Sequence, residues 1–207
     1  MKELINQIRN VPDRYGCHSW KHHISGNVTE FIVEPPHHLD RTSYRKAVIN
    51  IGMAVRSLSK KLEKSGESYL IQSFPTLDDL RTVAILRTQQ EPADTPFTVL
   101  KNLEIKSPLE QVQALAQKFQ FSLTRISHSD LPSELKKDYN ENAELYVLLS
   151  SQDHPFIWIN IGFLLEVINS YSELFSSVDL IEKSIQAPSD RFNTSTERSY
   201  IQSILQV

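Results

Sequence analysis

The segment Phe156-Ile-Trp-Ile-Asn-Ile-Gly-Phe-Leu-Leu-Glu-Val-Ile168 constrains the fold more than any other part of this 207-residue chain. Its apolar residues recur around the whole helical wheel, so a helix here has to be covered on several sides at once. Asn160 and Glu166 interrupt the run, and it is shorter than the ~20 apolar residues that span a bilayer. We read Pro155 to about Phe175 as a buried helix at the centre of a globular core. A chain with 40% hydrophobic and 23% charged residues can bury such a core, and one domain over residues 1–207 is expected.

The neighbouring segments supply a sheet for that helix to rest on. Ser19 to Ile24 and Val28 to Glu34 are β-compatible runs around Ser25-Gly26-Asn27, whose Gly and Asn suit a tight hairpin. Beyond Pro35-Pro36, the residues Ala47, Ile51, Ala54, Val55, Leu58 and Leu62 fall at helical spacing, predicting an amphipathic helix over Ser43 to Lys64 that stops before Gly66. Tyr69 to Phe74 and Thr82 to Arg87 read as strands, and Gln89 to Pro96 as a polar linker. Ser107-Pro108-Leu109-Glu110 carries an N-cap, a first-position proline and a first-turn acid, so a helix to about Lys118 follows. Phe121 to Ile126 reads as a strand, Glu144 to Ser150 as a central strand covered on both faces, and Tyr200 to Val207 as a closing strand. No internal repeat is recognised. The fold class expected is α+β.

Charge and cysteine content narrow the function classes. A net charge of −3 leaves no basic face able to neutralise several phosphates, which argues against a nucleic-acid partner. The first residues have neither a long apolar stretch nor a small-residue cleavage site, so a cytoplasmic protein without a membrane anchor is expected. The single cysteine, Cys17, excludes an intrachain disulfide.

Three ordered motifs carry a resemblance. Val11-Pro-Asp-Arg-Tyr-Gly-Cys-His-Ser-Trp20 resembles the Pro-Ser-x-x-Asn-x-Gln-Pro-Trp pattern of the nitroreductase superfamily, with Pro12 and Trp20 at matching spacing. Tyr44 to Ala54 is similar to the Gly-Arg-Glu-Leu-x-Ile-x-x-Gly-Ala-Ala helix of the Acg-type nitroreductase-like subfamily, through Arg45, Ile49, Gly52 and Ala54. Asp153 to Ile168 resembles that subfamily's Asp-x-x-x-x-Trp-Leu-x-x-Gly-x-x-Leu helix, and Tyr200 to Val207 its closing strand. The resemblance implies a mixed, mostly antiparallel sheet flanked by helices with a long central helix. It also implies a homodimer holding FMN, and NAD(P)H-driven reduction of nitro compounds, quinones or similar acceptors. Gly16 and His18 stand where family members carry Asn and Gln, and the Arg-Arg-x-x-Arg segment that grips the FMN phosphate has no counterpart. Those departures imply a second reading: a non-catalytic relative that keeps the fold and holds flavin or a partner.

The flavin ring carries its own chemistry, so a flavoprotein oxidoreductase needs a phosphate clamp, donors near the ring and an open substrate face. Arg9, Arg14 and Arg191 are the clamp candidates, because guanidinium binds phosphate bidentately. The amides of Gly16 and Cys17 and the side chain of His18 are the candidates for contacts to the ring. No catalytic residue is assigned. Five of the seven histidines, His18, His22, His23, His37 and His38, lie near the N-terminus. In a hairpin turning at Ser25 to Asn27, His22 and His23 fall opposite Glu30 and Phe31, while His37 and His38 fall level with Tyr15 to Cys17. A third reading is therefore a metal site drawn from Cys17, His18, His37 and His38, although adjacent residues on an extended chain point apart.

Overall fold

The computed structural model describes residues 19–34, 40–91, 107–187 and 199–207. In chain order these form strands β1 (Trp20–Ser25) and β2 (Val28–Val33), helix α1 (Arg41–Ser65), and strands β3 (Ser68–Ser73) and β4 (Thr82–Gln89). Helix α2 (Pro108–Lys118), strand β5 (Phe121–Ile126), a 3-10 turn (His128–Asp130) and the short helix α3 (Ser133–Lys136) come next. Strand β6 (Leu145–Ser150), helix α4 (Pro155–Ile168), a second 3-10 turn (Asn169–Tyr171), β7 (Ser177–Ala187) and β8 (Ser199–Gln206) complete the order. The strands make two four-stranded sheets, β1-β2-β4-β3 and β5-β6-β8-β7. Every described pairing is antiparallel, so the chain is α+β.

Local chemistry sets the boundaries. Gly26 takes φ +59° in the first hairpin, and the Asn27 side-chain amide donates to the Thr88 carbonyl over 2.9 Å, tying the turn to β4. Asp40 caps α1 by accepting from the Ser43 amide at 2.8 Å, and Gly66 ends it at φ +75°, where a side chain would be strained. The Ser43 amide, and then the Ser43 hydroxyl, hold the Asp40 carboxyl below its usual pKa. Helix α2 opens at the expected N-cap, and the first-turn acid closes a capping box: the Glu110 amide donates to Ser107 Oγ and the Ser107 amide donates to Glu110 Oε2.

Two expectations shift. The apolar helix stops at Ile168 rather than near Phe175, and β7 is a strand the sequence did not announce. Ser177-Val-Asp-Leu-Ile-Glu-Lys-Ser-Ile-Gln-Ala187 is half polar, as suits an edge strand with one wet face, and it lacks the apolar run that marks β6. That central strand is buried at all six positions.

The contacts divide the chain into two compact units: Trp158–Glu166 groups with the chain before Leu103, and the remainder forms the second unit. Along the chain, β1-β2-α1-β3-β4 is followed, after α2, by β5-β6-α4-β7-β8, with the short α3 between β5 and β6, and the two sheets have the same strand order. The likeness extends to register. Trp20↔Val33 through Ser25↔Val28 in the first unit corresponds to Phe121↔Ser150 through Ile126↔Leu145 in the second. Both units carry a bulge at the same place, Val83 of β4 opposite the Phe31–Ile32 step and Gln202 of β8 opposite the Leu148–Leu149 step. Even the helices share a tetrapeptide, Ile49-Asn50-Ile51-Gly52 in α1 and Ile159-Asn160-Ile161-Gly162 in α4. An internal repeat is therefore present, and the expectation of none is corrected. It escapes a fixed-period comparison because β5 and β6 are joined by residues 127–144, where β1 and β2 are joined by Gly26-Asn27.

Within the first unit α1 lies on β2, β3 and β4, burying Ala47, Ile51, Val55, Leu58 and Leu62 among others. It crosses the Trp158–Glu166 stretch of α4 at the two glycines of the shared tetrapeptide. A Cβ on Gly52 would run into the Ile159 carbonyl oxygen and stand 3.0 Å from Gly162 Cα. One on Gly162 would meet the Ile49 carbonyl oxygen, with Gly52 Cα at 2.8 Å and Met53 N at 2.9 Å. The obstacles are backbone atoms, so no rotamer change relieves them. Trp158, 3% exposed, sits beside this crossing with the Tyr44 ring edge-on at 6.0 Å and the Arg41 guanidinium 5.5 Å from its centroid.

Candidate functional site

The residues singled out for flavin, Arg9, Arg14, Gly16, Cys17, His18 and Arg191, lie outside the described residues, as do His37 and His38. The other two clustered histidines stand on β1 in the anticipated register. His22 pairs with Phe31, on the face that meets α1, and His23 pairs with Glu30 on the opposite face. Neighbouring histidines on a strand point apart, as pleating requires. Among the described residues no group of three His, Cys, Asp or Glu is placed to hold a metal ion.

The face of the first sheet turned away from α1 is built by alternation. On β2, Thr29, Phe31 and Val33 are buried, while Val28, Glu30 and Ile32 are half-buried on the outer side. Register places Arg87 beside Val28 and Ile85 beside Glu30, and β3 then adds Leu70 beside Arg87 and Gln72 beside Ile85. Lys21 and His23 of the edge strand complete the row, paired with Glu34 at 2.5 Å and Glu30 at 3.5 Å. Val28, Ile32 and Ile85 therefore surround Glu30, and Leu70, 44% exposed, extends the apolar patch to the far edge. Arg87 is exposed and has no ion-pair partner among the described residues.

The matching face of the second sheet is covered. Register equates Val28, Glu30 and Ile32 with Leu145, Val147 and Leu149, and Ile85 with Ile204. These four belong to a core cluster with Ile126, Leu131, Ile181, Ala187 and Ile201. Leu131 is 0% exposed, and Leu135, Tyr139 and Ala143 pack against the same cluster. All four come from the connection between β5 and β6, one every four residues, so a single side of that connection is apolar. Its turns are fixed by side chains. Ser127 and Asp130 form a capping box, Lys136 Nζ donates to the Ser129 carbonyl at 2.7 Å, and His128 Nε2 lies 2.9 Å from the Lys136 carbonyl. Burial, and then Asp179 of β7, which is also its hydrogen-bond partner, hold the Tyr139 phenol above its ordinary pKa. The connection is thus a built-in cap on the outer face of its own sheet.

Two buried polar clusters hold the elements together. Arg56 Nη1 bonds Glu63 Oε1 at 2.8 Å and Ser59 Oγ at 3.1 Å, and the Tyr69 hydroxyl donates to the same Glu63 oxygen, fastening β3 to the end of α1. In the second unit Gln202 occupies the bulge of β8, donating to Ser150 Oγ at 2.8 Å. Neither arrangement pairs a nucleophile with a base, as covalent catalysis requires. The residues that the sequence reading missed are Val28, Ile32, Leu70, Ile85 and Arg87. For Val28 and Ile32 alone a hint was present in Val28-Thr-Glu-Phe-Ile-Val33, where apolar residues occupy both phases of the strand. Among the described residues no helix is long and apolar enough to cross a membrane. Comparison with protein-family models and with curated proteins finds no match for this chain.

Proposed function

We propose that this chain is a binding module, the non-catalytic reading of its sequence, with the outer face of the first sheet as its working surface. One observation supports this: two copies of one fold differ in that the outer face of the second is filled by the chain's own 127–143 segment, while the first presents apolar side chains at matching positions. Val28, Ile32, Ile85 and Leu70 bring apolar side chains to this face with Glu30 and Arg87 among them, the mixture of apolar and charged groups found at interaction surfaces. Photo-crosslinking tests it. A crosslinker at position 70 should give a discrete protein adduct that is lost on Ile85→Arg, and the same group at the exposed Glu173 should not.

The flavin reading rests on the Pro12 to Trp20 spacing and makes a separate claim. Protein purified with bound FMN shows the isoalloxazine bands near ~375 and ~450 nm, a property of the ring itself. Such bands, together with NAD(P)H-dependent bleaching and no adduct at position 70, would replace the binding module with an oxidoreductase.

A further inference from the structure

Separately from the outer face, we infer that the edge of β3 pairs with the same edge of a second copy of this chain, joining two first sheets about a two-fold axis at Ile71. The two sheets end on four edge strands, β1, β3, β5 and β7, and an edge strand recruits other strands unless it is guarded. Three of the four carry a guard. β1 has Lys21, paired with Glu34. β5 has the exposed Arg125, 3.0 Å from Glu144, and packs against α2. β7 loses register with β8 between Leu180 and Ile185. β3 has no such device: Ser68-Tyr-Leu-Ile-Gln-Ser73 contains no charge and no proline, and every residue of it stays in register with β4. Among the described residues β4 is its only strand partner.

The backbone selects the register. The Phe74 amide donates to the Val83 carbonyl at 2.8 Å, and the Thr88 amide, opposite Tyr69, turns away from β3 to the Asn27 carbonyl at 3.0 Å. Antiparallel pairs alternate between bonded and non-bonded, so Ser68, Leu70 and Gln72 turn their amides and carbonyls toward β4. Tyr69, Ile71 and Ser73 turn theirs to the open edge. A two-fold axis normal to the sheet keeps residues of one face opposite residues of the same face. Centred on Ile71, it sets Ile71 against itself and Tyr69 against Ser73 of the second copy, so each outward amide meets a carbonyl. Centring on Leu70 sets Ser73 against Glu67, whose amide already donates to the Leu62 carbonyl at 2.9 Å. Centring on Gln72 sets Tyr69 against Pro75, which has no N–H. The strand is therefore complementary to its own copy in one register, and no charge within it is opposed by its like.

Sedimentation equilibrium of the full chain, with hydrogen exchange followed amide by amide at low and high protein concentration, tests the pairing. A dimer is expected in which the Tyr69, Ile71 and Ser73 amides are protected only at high concentration, while those of Leu70 and Gln72 are protected at both. Ile71→Pro removes an outward N–H and spares the ladder to β4, so it should return the chain to monomer with its circular dichroism unchanged. Two exposed positions decide the matter even if that variant does not fold, since Leu70 lies opposite Gln72 of the second copy. Leu70→Lys with Gln72→Lys opposes like charges at two symmetric pairs and should weaken the dimer about tenfold. Leu70→Lys with Gln72→Glu opposes unlike charges and should restore it. A chain that stays monomeric at its highest soluble concentration overturns the inference. So does a dimer that survives both Ile71→Pro and the paired lysines, or protection of the three outward amides in the monomer. Ile85→Arg lies on β4 and should leave this dimer intact while it abolishes the outer-face adduct, so the two readings fail separately.

Discussion

The first and second units share strand order, register and the position of a bulge, yet one outer sheet face is core and the other is surface. The difference lies in one connection. Gly26-Asn27 closes β1 on β2 in the fewest residues an antiparallel pair allows, whereas 127–144 runs between β5 and β6 and places Leu131 at 0% exposure. The strands have adjusted to match. Val147 and Ile201 are apolar because the connection covers them, and their counterparts Glu30 and Thr82 are polar because the first hairpin carries no such cover. Burying one leucine fully contributes about 1.5–3 kcal/mol, so the connection converts a surface into a second core. What survives as apolar on the open side, Val28, Ile32, Ile85 and Leu70, is then the part that the fold itself does not require.

The largest effect is expected at the helix crossing inside the first unit. Gly162→Val places a branched side chain against the Ile49 carbonyl oxygen and Met53 N, and Gly52→Val does the same against Ile159. Because backbone must move, each should cost more than ~3 kcal/mol or abolish cooperative unfolding, above the usual range for overpacking. Urea denaturation followed by circular dichroism measures it, and a cost below ~1 kcal/mol for either would mean that the helices do not cross there. Next comes the cap. Leu131→Ala leaves a cavity in the second core and should cost about 3 kcal/mol, read as a lower urea midpoint with an unchanged m-value.

Much of this was legible in the sequence. Gly26, Gly66, Ser107-Pro108 and the unbroken Leu145–Ser150 run carry local signals, and the structure places a turn, a helix end, a capping box and a central strand on them. The histidine register came out for the same reason, since a two-residue turn fixes every pair beyond it. What failed was non-local. The repeat is invisible to a constant offset because the two hairpin connections differ in length, and only Ile-Asn-Ile-Gly survives as identity. The open face is a property of the missing cap, and no residue on it announces that absence. The six flavin-site candidates lie outside the described residues.

A smaller effect concerns alkaline stability, and it separates the units through their tyrosines. Burial and Asp179 favour the protonated Tyr139 phenol in the folded chain, so its pKa is raised. The associated stability is complete below the ordinary tyrosine pKa near ~10 and declines as pH rises beyond it, because the unfolded chain releases the proton first. Tyr139→Phe should cost about 1 kcal/mol at pH 8, the scale of one hydrogen bond, and should flatten the decline above pH 10. Tyr44 of the first unit, pushed up to about 12 by burial and Asp79, predicts the same flattening for Tyr44→Phe. Its hydroxyl donates to the Leu80 carbonyl at 2.7 Å. Urea midpoints at pH 8 and 11 decide both, and equal losses in wild type and variant would dissociate the tyrosines from the alkaline limb.

The effect that bears hardest on the comparison is a difference between two matched substitutions. Ile85 and Ile204 hold matched positions on β4 and β8, but Ile204 is 0% exposed beneath the cap and Ile85 is half-buried on the open face. Truncating a buried isoleucine to alanine costs about 2–5 kcal/mol, so Ile204→Ala should fall in that range. Ile85→Ala removes the same atoms from a place that water already reaches, and it should cost about 1 kcal/mol or less. The gap between the two substitutions measures how much the cap contributes at one position, with side-chain chemistry held constant. If Ile85→Ala proves as costly as Ile204→Ala in the isolated chain, the open face is already covered in solution and has no room for a partner. If the gap holds, and a bound partner then protects Ile85 from solvent to the level of Ile204, that partner is performing on the first sheet what residues 127–143 perform on the second.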